Sequence, residues 1–388
     1  MSVQVIASLT EVAAKDWNAL DLGGNPFLRH EFLLALEQTG CANASSGWQP
    51  LHLILREGNE LIGALPLYAK PHSWGEFVFD FSWSSAYARS GREYYPKLLS
   101  AIPFTPASGS RLLAATRPPS EQAAIRKQLV ASLLEHARTL NLSSAHVLFT
   151  TPEEQQLLQD NGFIARSDCQ FHWRNRDFKT FDDFIATFRA DKRKKALRER
   201  RRVAEAGITF ETLHGDELTD AQWRVAMQLS EATFNSHGHE HYLNETFFRT
   251  IGRDLPRSIM IKFAMFEGRP VACAIFFLGG NTLYGRYWGA AAEFHSLHFE
   301  TCYFQGIEYC IEHGLLHFEP GTQGEHKIAR GFAPTKTSSA HWISDPQFAR
   351  AIASHAAQER EAVDRYIESV NEHLPFRRDD IDNTGIGP

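Results

Sequence analysis

Residues 318–332 read FEPGTQGEHKIARGF, a turn that crowds Gln323, Glu325, His326, Lys327 and Arg330 between Gly321, Gly324 and Gly331. Residues of these types together supply a general base, cations for an anionic group and mobile protons. Glu325 or His326 would act as base, His because it titrates near neutrality and Glu because partial burial raises it toward that range. Lys327 and Arg330 would hold a phosphate, a carboxylate or a developing oxyanion. The glycines let backbone N–H groups approach a ligand, above all where a short helix begins. The same residues would also make a plain charged turn held by a Glu325–Lys327 or Glu325–Arg330 pair.

What separates these readings is the element in which the turn sits. The segment 145–173 lies without a gap on 314–342, matching Phe149 with Phe318, Gly162-Phe163 with Gly331-Phe332 and His172-Trp173 with His341-Trp342. Both copies read strand, helix, Gly-Phe, strand. The first opens its helix conventionally, with Thr151 as N-cap, Pro152 at the first helical position and Glu154 closing a capping box. The second has Pro320, Gly321 and Gln323 there, so helix-start chemistry has been exchanged for reactive side chains. A second pair of segments, from Leu51 and from Ile261, each predicts a β-hairpin around a Glu-Gly turn.

Between these repeats, amphipathic helices are predicted over 31–39 (stopped by Gly40), 121–140, 298–313 (stopped by Gly314) and 346–370. The helix from His298 puts Phe299, Cys302, Tyr303, Gly306, Ile307 and Cys310 on one face, leaving Glu300, Glu308 and Glu312 to point outward. In YGRYWG, strand alternation turns Tyr284, Arg286 and Trp288 to one side, and an arginine in a central strand needs a partner or a ligand. The run RADKRKKALRERRR over 189–202 places basic residues all round a helix, which reads as a solvated or phosphate-facing arm. In SHGHEHYL, His237, His239 and His241 alternate, but no carboxylate or cysteine completes a metal set, and no metal is expected.

The chain has 388 residues, 43% hydrophobic and 22% charged, which fits two mixed α/β domains, 1–175 and 176–388, the latter carrying the basic helix (189–206) and the C-terminal helix (346–370). A net charge of −6 argues against a surface devoted to nucleic acid. Five scattered cysteines without Cys-x-x-Cys spacing fit a reducing compartment. No stretch has the length of a membrane span, and the N-terminus lacks a basic region followed by an apolar run, so a cytoplasmic protein is expected.

A hairpin, a further strand, a helix, a strand, and a short helix closing on Gly-Phe is the order of the GNAT N-acyltransferase fold. The stretches NPFLRHEFLLALE, GEFVFDFSWSSAYARSGREYYPKLLSAIPFTPASGSRLL, DKRKKALRERRRVAEAGI, HYLNETFFRTI, YGRYWG, QGEHKIARGF and SSAHW resemble the FemAB-like predicted N-acyltransferases. The resemblance runs from about Asn25 to about Glu372. That family implies tandem GNAT-like domains and transfer of an acyl group from acyl-CoA to an amine, through a cleft in or next to the C-terminal half. A peptide or small-molecule amine would accept.

Under this reading Glu325, His326 and Lys327 are the catalytic candidates. Gln323, Gly324, Arg330, Arg286 and Tyr284, with Trp83, Tyr87 and His341 from the resembling stretches, are the substrate contacts. The usual phosphate-binding signature after the YGRYWG strand is missing: GAAAEFHS stands there and carries Glu293. Arg89, Ser90, Gly91, Arg92 and Lys97, read as the start of a helix, are the alternative cradle for coenzyme A phosphates. Two alternatives stay open. One is aminoacyl transfer from tRNA, as in the Fem branch; the other is a noncatalytic shell that binds a glycan or peptide.

Overall fold

The computed structural model describes residues 2–236, 238, 241–292, 294–322 and 324–377. In chain order the strands are β1 Ser2–Ile6, β2 Gln49–Pro50, β3 His52–Glu57, β4 Glu60–Leu65, β5 Tyr68–Lys70, β6 Lys97–Ser100, β7 Leu113–Ala114, β8 Ser144–Leu148, β9 Ile164–Arg174, β10 Thr209–His214, β11 Ile259–Phe266, β12 Arg269–Gly279, β13 Thr282–Ala290, β14 His317–Glu319 and β15 Ala333–Ile343. The helices are α1 Ala14–Trp17, α2 His30–Gln38, α3 Phe81–Arg89, α4 Pro119–Thr139, α5 Pro152–Asp160, α6 Phe181–Ala186, α7 Ala190–Glu205, α8 Asp220–Ser236, α9 Glu245–Asp254, α10 Leu297–Phe299, α11 Gln305–Glu312 and α12 Pro346–Asn371. Among the described residues no helix is long and apolar enough to cross a membrane.

The chain divides into two compact units, Met1–Asp168 with Lys336–Asp364, and Cys169–Thr335 with Arg365–Pro388. The division thus falls close to the expected 175/176, but residues 336–364, most of α12 among them, return to the first unit. In that unit β1, β3, β4 and β7 form one antiparallel set. Strands β15, β8, β6, β5 and β2 lie side by side, with β6 and β8 parallel. In the second unit the order is β10-β11-β12-β13-β14-β9, with β13 and β14 parallel. A parallel pair needs a helical crossover, and α4 in one unit and α10 to α11 in the other supply it. Helix α4 buries Ile125, Leu129 and Leu133 at i, i+4 spacing.

The internal repeat has a structural counterpart. Strands β9 and β15 coincide end for end under the shift that lays Phe149 on Phe318, and Gly162 and Gly331 share a φ of +87°. The last strand of each copy pairs near its end, β9 on β14 (Phe318↔Trp173) and β15 on β8 (Ile343↔Ser144). Both predicted hairpins form, each with one bulge, although Gly58 is the first turn residue and Gly268 the second. Thr151 caps α5 as predicted. Glu154 makes no capping box, because its buried carboxylate instead accepts bonds from Ser110 Oγ and from the Arg111 and Leu112 N–H groups.

Candidate active site

In the second unit β13 and β14 pair only from Thr282 to Tyr284 against His317 to Glu319. Past this point Pro320 and Gly321 lead the chain away while β13 continues to Ala290, so the two strands part. Strand β13 also bulges there. Tyr287 pairs with Ile275 and Gly285 with Phe276, which leaves Arg286 as the extra residue. The bulge breaks the alternation expected to put Tyr284, Arg286 and Trp288 on one face: Tyr284 is buried, and Arg286 and Trp288 are half-buried. Burial lowers the Arg286 pKa, and the Tyr287 hydroxyl and the Glu319 carboxylate oppose that shift.

The turn of the opening motif is a 3₁₀ helix, Glu325–Arg330, where the first copy has α5. Two glycines set its ends. At Gly324, φ is +106° and the His326 ring covers the residue so closely that a Cβ would meet Cε1 at 2.1 Å. At Gly331 the left-handed conformation closes the helix, and a Cβ would come within 2.8 Å of the Phe184 ring. Between them Arg330 is buried. Its guanidinium donates to both Glu199 carboxylate oxygens (3.0 and 2.9 Å) and to the His326 carbonyl (2.6 Å), and lies 3.4 Å above the Phe299 ring. Arg330 therefore braces the turn through its two terminal guanidinium nitrogens, while its buried Nε has no hydrogen-bond partner among the described residues.

His326 is exposed, with Nε2 at 2.8 Å from the Tyr303 hydroxyl. Glu325 is also exposed, contrary to the partial burial expected of a base, and accepts from the Tyr366 hydroxyl at 2.7 Å. Lys327 points the other way. Its side chain is only 1% exposed, and Nζ donates to the Gly321 carbonyl at 2.6 Å. Burial, with no carboxylate beside it among the described residues, brings the Lys327 pKa down to about 7. The His326 pKa is lowered by burial, then by the charges of Lys327 and Arg330. The same causes, with His326 added, hold His298 at about 4. The site thus presents an imidazole and a buried amine that both hold a proton less tightly than usual.

The floor of this site is the helical crossover. Between α10 and α11 the residues Glu300–Phe304 form a π turn, the interruption in the predicted 298–313 helix, and it carries Tyr303 to His326. Glu300, expected to face solvent, is 3% exposed and accepts from Arg200 and Gln305. Glu308 is half-buried on the same arginine, and Glu312 is exposed. Helix α7 is not basic all round. It buries Ala196, Glu199 and Val203 and turns Lys194, Lys195, Arg198, Arg201 and Arg202 outward. Arg202 bonds His295, in the loop that follows β13, at 2.7 Å.

The remaining sequence candidates lie elsewhere. Arg89 ends α3 and Ser90, Gly91 and Arg92 follow it instead of opening a helix, so carbonyls, not N–H groups, face that segment. Arg92 is paired with Asp345. Lys97 lies in β6, 1% exposed, bonded to Glu76 (2.8 Å), Asp80 (2.6 Å) and Ser73 (2.8 Å). That set is no phosphate cradle. Trp83, Tyr87 and His341 are packed inside the first unit, His341 edge-on to Trp83 and 2.7 Å from His146 Nδ1. Gln323, Glu293, His237 and His239 lie outside the described residues. His241 is engaged by Ser230 and the Leu243 carbonyl. Sequence reasoning missed Tyr303, Glu199 and Phe299 as partners of the turn; a lone glutamate inside a basic run was the available signal.

No curated protein is significantly similar to the chain in sequence. Among solved structures, FemX superposes with a TM-score of 0.56 at 12% identity, over 91% of this chain and 100% of its own. A conserved protein of unknown function from Bacteroides thetaiotaomicron does so at 0.52 and 9% identity, over 88% and 99%. L-PGS from Bacillus licheniformis follows at 0.50 and 9%, over 82% and 94%. These likenesses concern the fold, a mixed α/β architecture of GNAT-like units. The FemAB-like profile, described as peptidoglycan biosynthesis/recognition, matches residues 8–378. With that match spanning nearly the whole sequence, the chain belongs to the FemAB-like family.

Proposed function

We propose that this protein transfers an acyl or aminoacyl group from an activated ester or thioester to an amine, at the 3₁₀ turn of the second unit. One observation carries the reading: a neutral His326 held by Tyr303 stands beside a buried Lys327 whose pKa has fallen to about 7. An amine must lose a proton to attack, and His326 Nδ1, the ring nitrogen not bonded to Tyr303, accepts it directly or through one water. The tetrahedral oxyanion then needs a donor. Lys327 in its protonated form supplies one, and it can return a proton to the leaving group. Tyr303 and Arg330 are positioning residues. They fix the imidazole and the turn.

Acyl-CoA is the first donor to test. Arg202 offers positive charge beside the loop after β13, where a donor's phosphates would lie, and Arg198 and Arg201 are exposed on the same helix. The outward basic face of α7 favours a second donor, aminoacyl-tRNA, since a stripe of this kind suits a polyanion. The family's tie to peptidoglycan supports a peptide amine as acceptor. The test is product formation from acyl-CoA or aminoacyl-tRNA with an amine-bearing peptide, by wild type, Glu325→Gln and His326→Ala. The expected result is turnover with one donor, nearly unchanged in Glu325→Gln and about 100-fold slower in His326→Ala. Salt-sensitive turnover with tRNA alone would select the aminoacyl donor. Wild-type rates in a folded His326→Ala would remove the turn from the reaction.

A further inference from the structure

The stretch 74–81 in the first unit is built inside out. Among the described residues nine large hydrophobic side chains stand exposed, and three of them lie here: Trp74 at 60%, Phe79 at 47% and Phe81 at 40%. They touch one another. Phe79 stacks on Phe81 with ring centroids 5.4 Å apart, and Trp74 lies 5.5 Å from the same ring. The charged residues of the stretch point inward instead. Glu76 and Asp80 are each 2% exposed, and both accept from Lys97. Single exposed apolar side chains are ordinary, but a contiguous aromatic patch marks a surface that meets a partner.

The rings are fixed in this position. The Trp74 carbonyl accepts from Lys70 Nζ at 3.0 Å and the Phe79 carbonyl from Arg166 at 2.7 Å, so turning the segment over would break these bonds and those of Lys97. What covers the patch follows from its size, shape and charge. An aromatic side chain carries about 150–250 Å², so the three offer roughly 200–400 Å² of exposed ring, well under the about 800 Å² per partner of a stable protein interface. A second copy finds too little here. Sites for small molecules are concave, whereas a tryptophan exposed to 60% projects. From Trp74 to Ala88 the only charged residues are the buried Glu76 and Asp80, so this surface has no cation for a polyanion and no anion for a basic partner. Uncharged, projecting rings suit the interfacial layer of a bilayer, where the apolar body of a tryptophan and its indole N–H are both satisfied. Among the described residues the Trp74 indole has no hydrogen-bond partner of its own.

We propose that Trp74, Phe79 and Phe81 insert into the interfacial layer of a lipid bilayer and rest the first unit on a membrane surface without spanning it. The contact does not depend on the transferase reading, and it is measured on the full chain without any assay of turnover. The probes are vesicles of phosphatidylcholine alone, vesicles of phosphatidylcholine with phosphatidylglycerol, and vesicles of phosphatidylcholine brominated along its acyl chains. Among the described residues, which include all eight tryptophans, Trp74 alone is exposed, so quenching by brominated lipid reports on it.

The expected result in vesicle flotation is reversible binding to phosphatidylcholine alone that survives high salt, because the patch carries no charge. Trp74→Ser should lower the partition coefficient about fivefold, and Trp74→Ser with Phe79→Ser and Phe81→Ser about 100-fold, with circular dichroism confirming the fold. Brominated lipid should quench the wild-type fluorescence, and Trp74→Phe should keep the binding but lose most of the quenching. That comparison decides the matter if the triple variant does not fold. No binding to phosphatidylcholine, unchanged binding in the folded triple variant, or quenching that persists in Trp74→Phe would each overturn the proposal. So would binding that needs phosphatidylglycerol and vanishes in salt, the behaviour of a basic face such as that of α7. A dimer in light scattering that the triple substitution abolishes would also overturn it, by making a second copy the occupant.

Discussion

Two lysines, Lys97 in the first unit and Lys327 in the second, are each 1% exposed, yet their surroundings push them in opposite directions. Lys97 is met by Glu76 and Asp80, whose negative charges outweigh the cost of burial and raise its pKa. Lys327 has a single carbonyl partner, and burial brings it to about 7. Burial alone therefore says nothing about role. A buried cation matched by carboxylates holds a fold together, whereas one left unmatched is poised to exchange its proton.

The matched site is the more sensitive to removal. Lys97→Met leaves Asp80 ionised and buried among Ser73 and Tyr94, and should destabilise the chain by about 3–5 kcal/mol in denaturant titration. A loss under 1 kcal/mol would mean that the carboxylates are neutral already and would dissolve the contrast. His326→Ala should leave stability nearly unchanged and slow turnover about 100-fold, equivalent to about 2.7 kcal/mol of barrier.

The third test turns on sign. The folded pKa of Lys327 lies below its unfolded value of 10.5, so between about pH 7 and 10.5 the unfolded chain binds more protons and this lysine's penalty shrinks as pH rises. Below pH 7 the penalty is fully present. Lys327→Met should therefore be more stable than wild type at pH 6, by about 1–4 kcal/mol, with the gap narrowing toward pH 10. A gap that widens with pH would overturn the assignment of an unmatched ammonium. Glu76, whose pKa is raised to about 7 mainly by burial, contributes the reverse slope: the folded chain binds its proton more tightly, and stability falls from about pH 4.5 to 7. The smallest effect concerns the two copies of the turn. Thr151→Ala removes the cap of α5 and should cost about 1 kcal/mol with no change in turnover.

Much of this architecture was readable from local pattern. Gly-Phe pairs, apolar spacing and Thr151-Pro152 identified the duplicated strand–helix–strand, the hairpins and the main helices, because turn chemistry and amphipathic period act over a few residues. Departures came where a distant partner decided. Glu154 chose Ser110 over its own N-cap, and Glu300 was drawn inward by Arg200. Arg89 to Lys97 looked like an anion cradle until α3 proved to end there, with Lys97 claimed by two carboxylates.

The sequence by itself determined that the second copy gave up a helix start for Glu325, His326, Lys327 and Arg330, and that the chain repeats its fold. Tertiary structure alone decided which of these side chains is exposed and which buried, that Arg330 pairs with Glu199, and that Lys327 meets the Gly321 carbonyl and, among the described residues, no carboxylate. The reason is physical. Secondary structure follows from neighbours along the chain, but a pKa follows from dielectric and charge in three dimensions, and those are set by residues more than a hundred positions away.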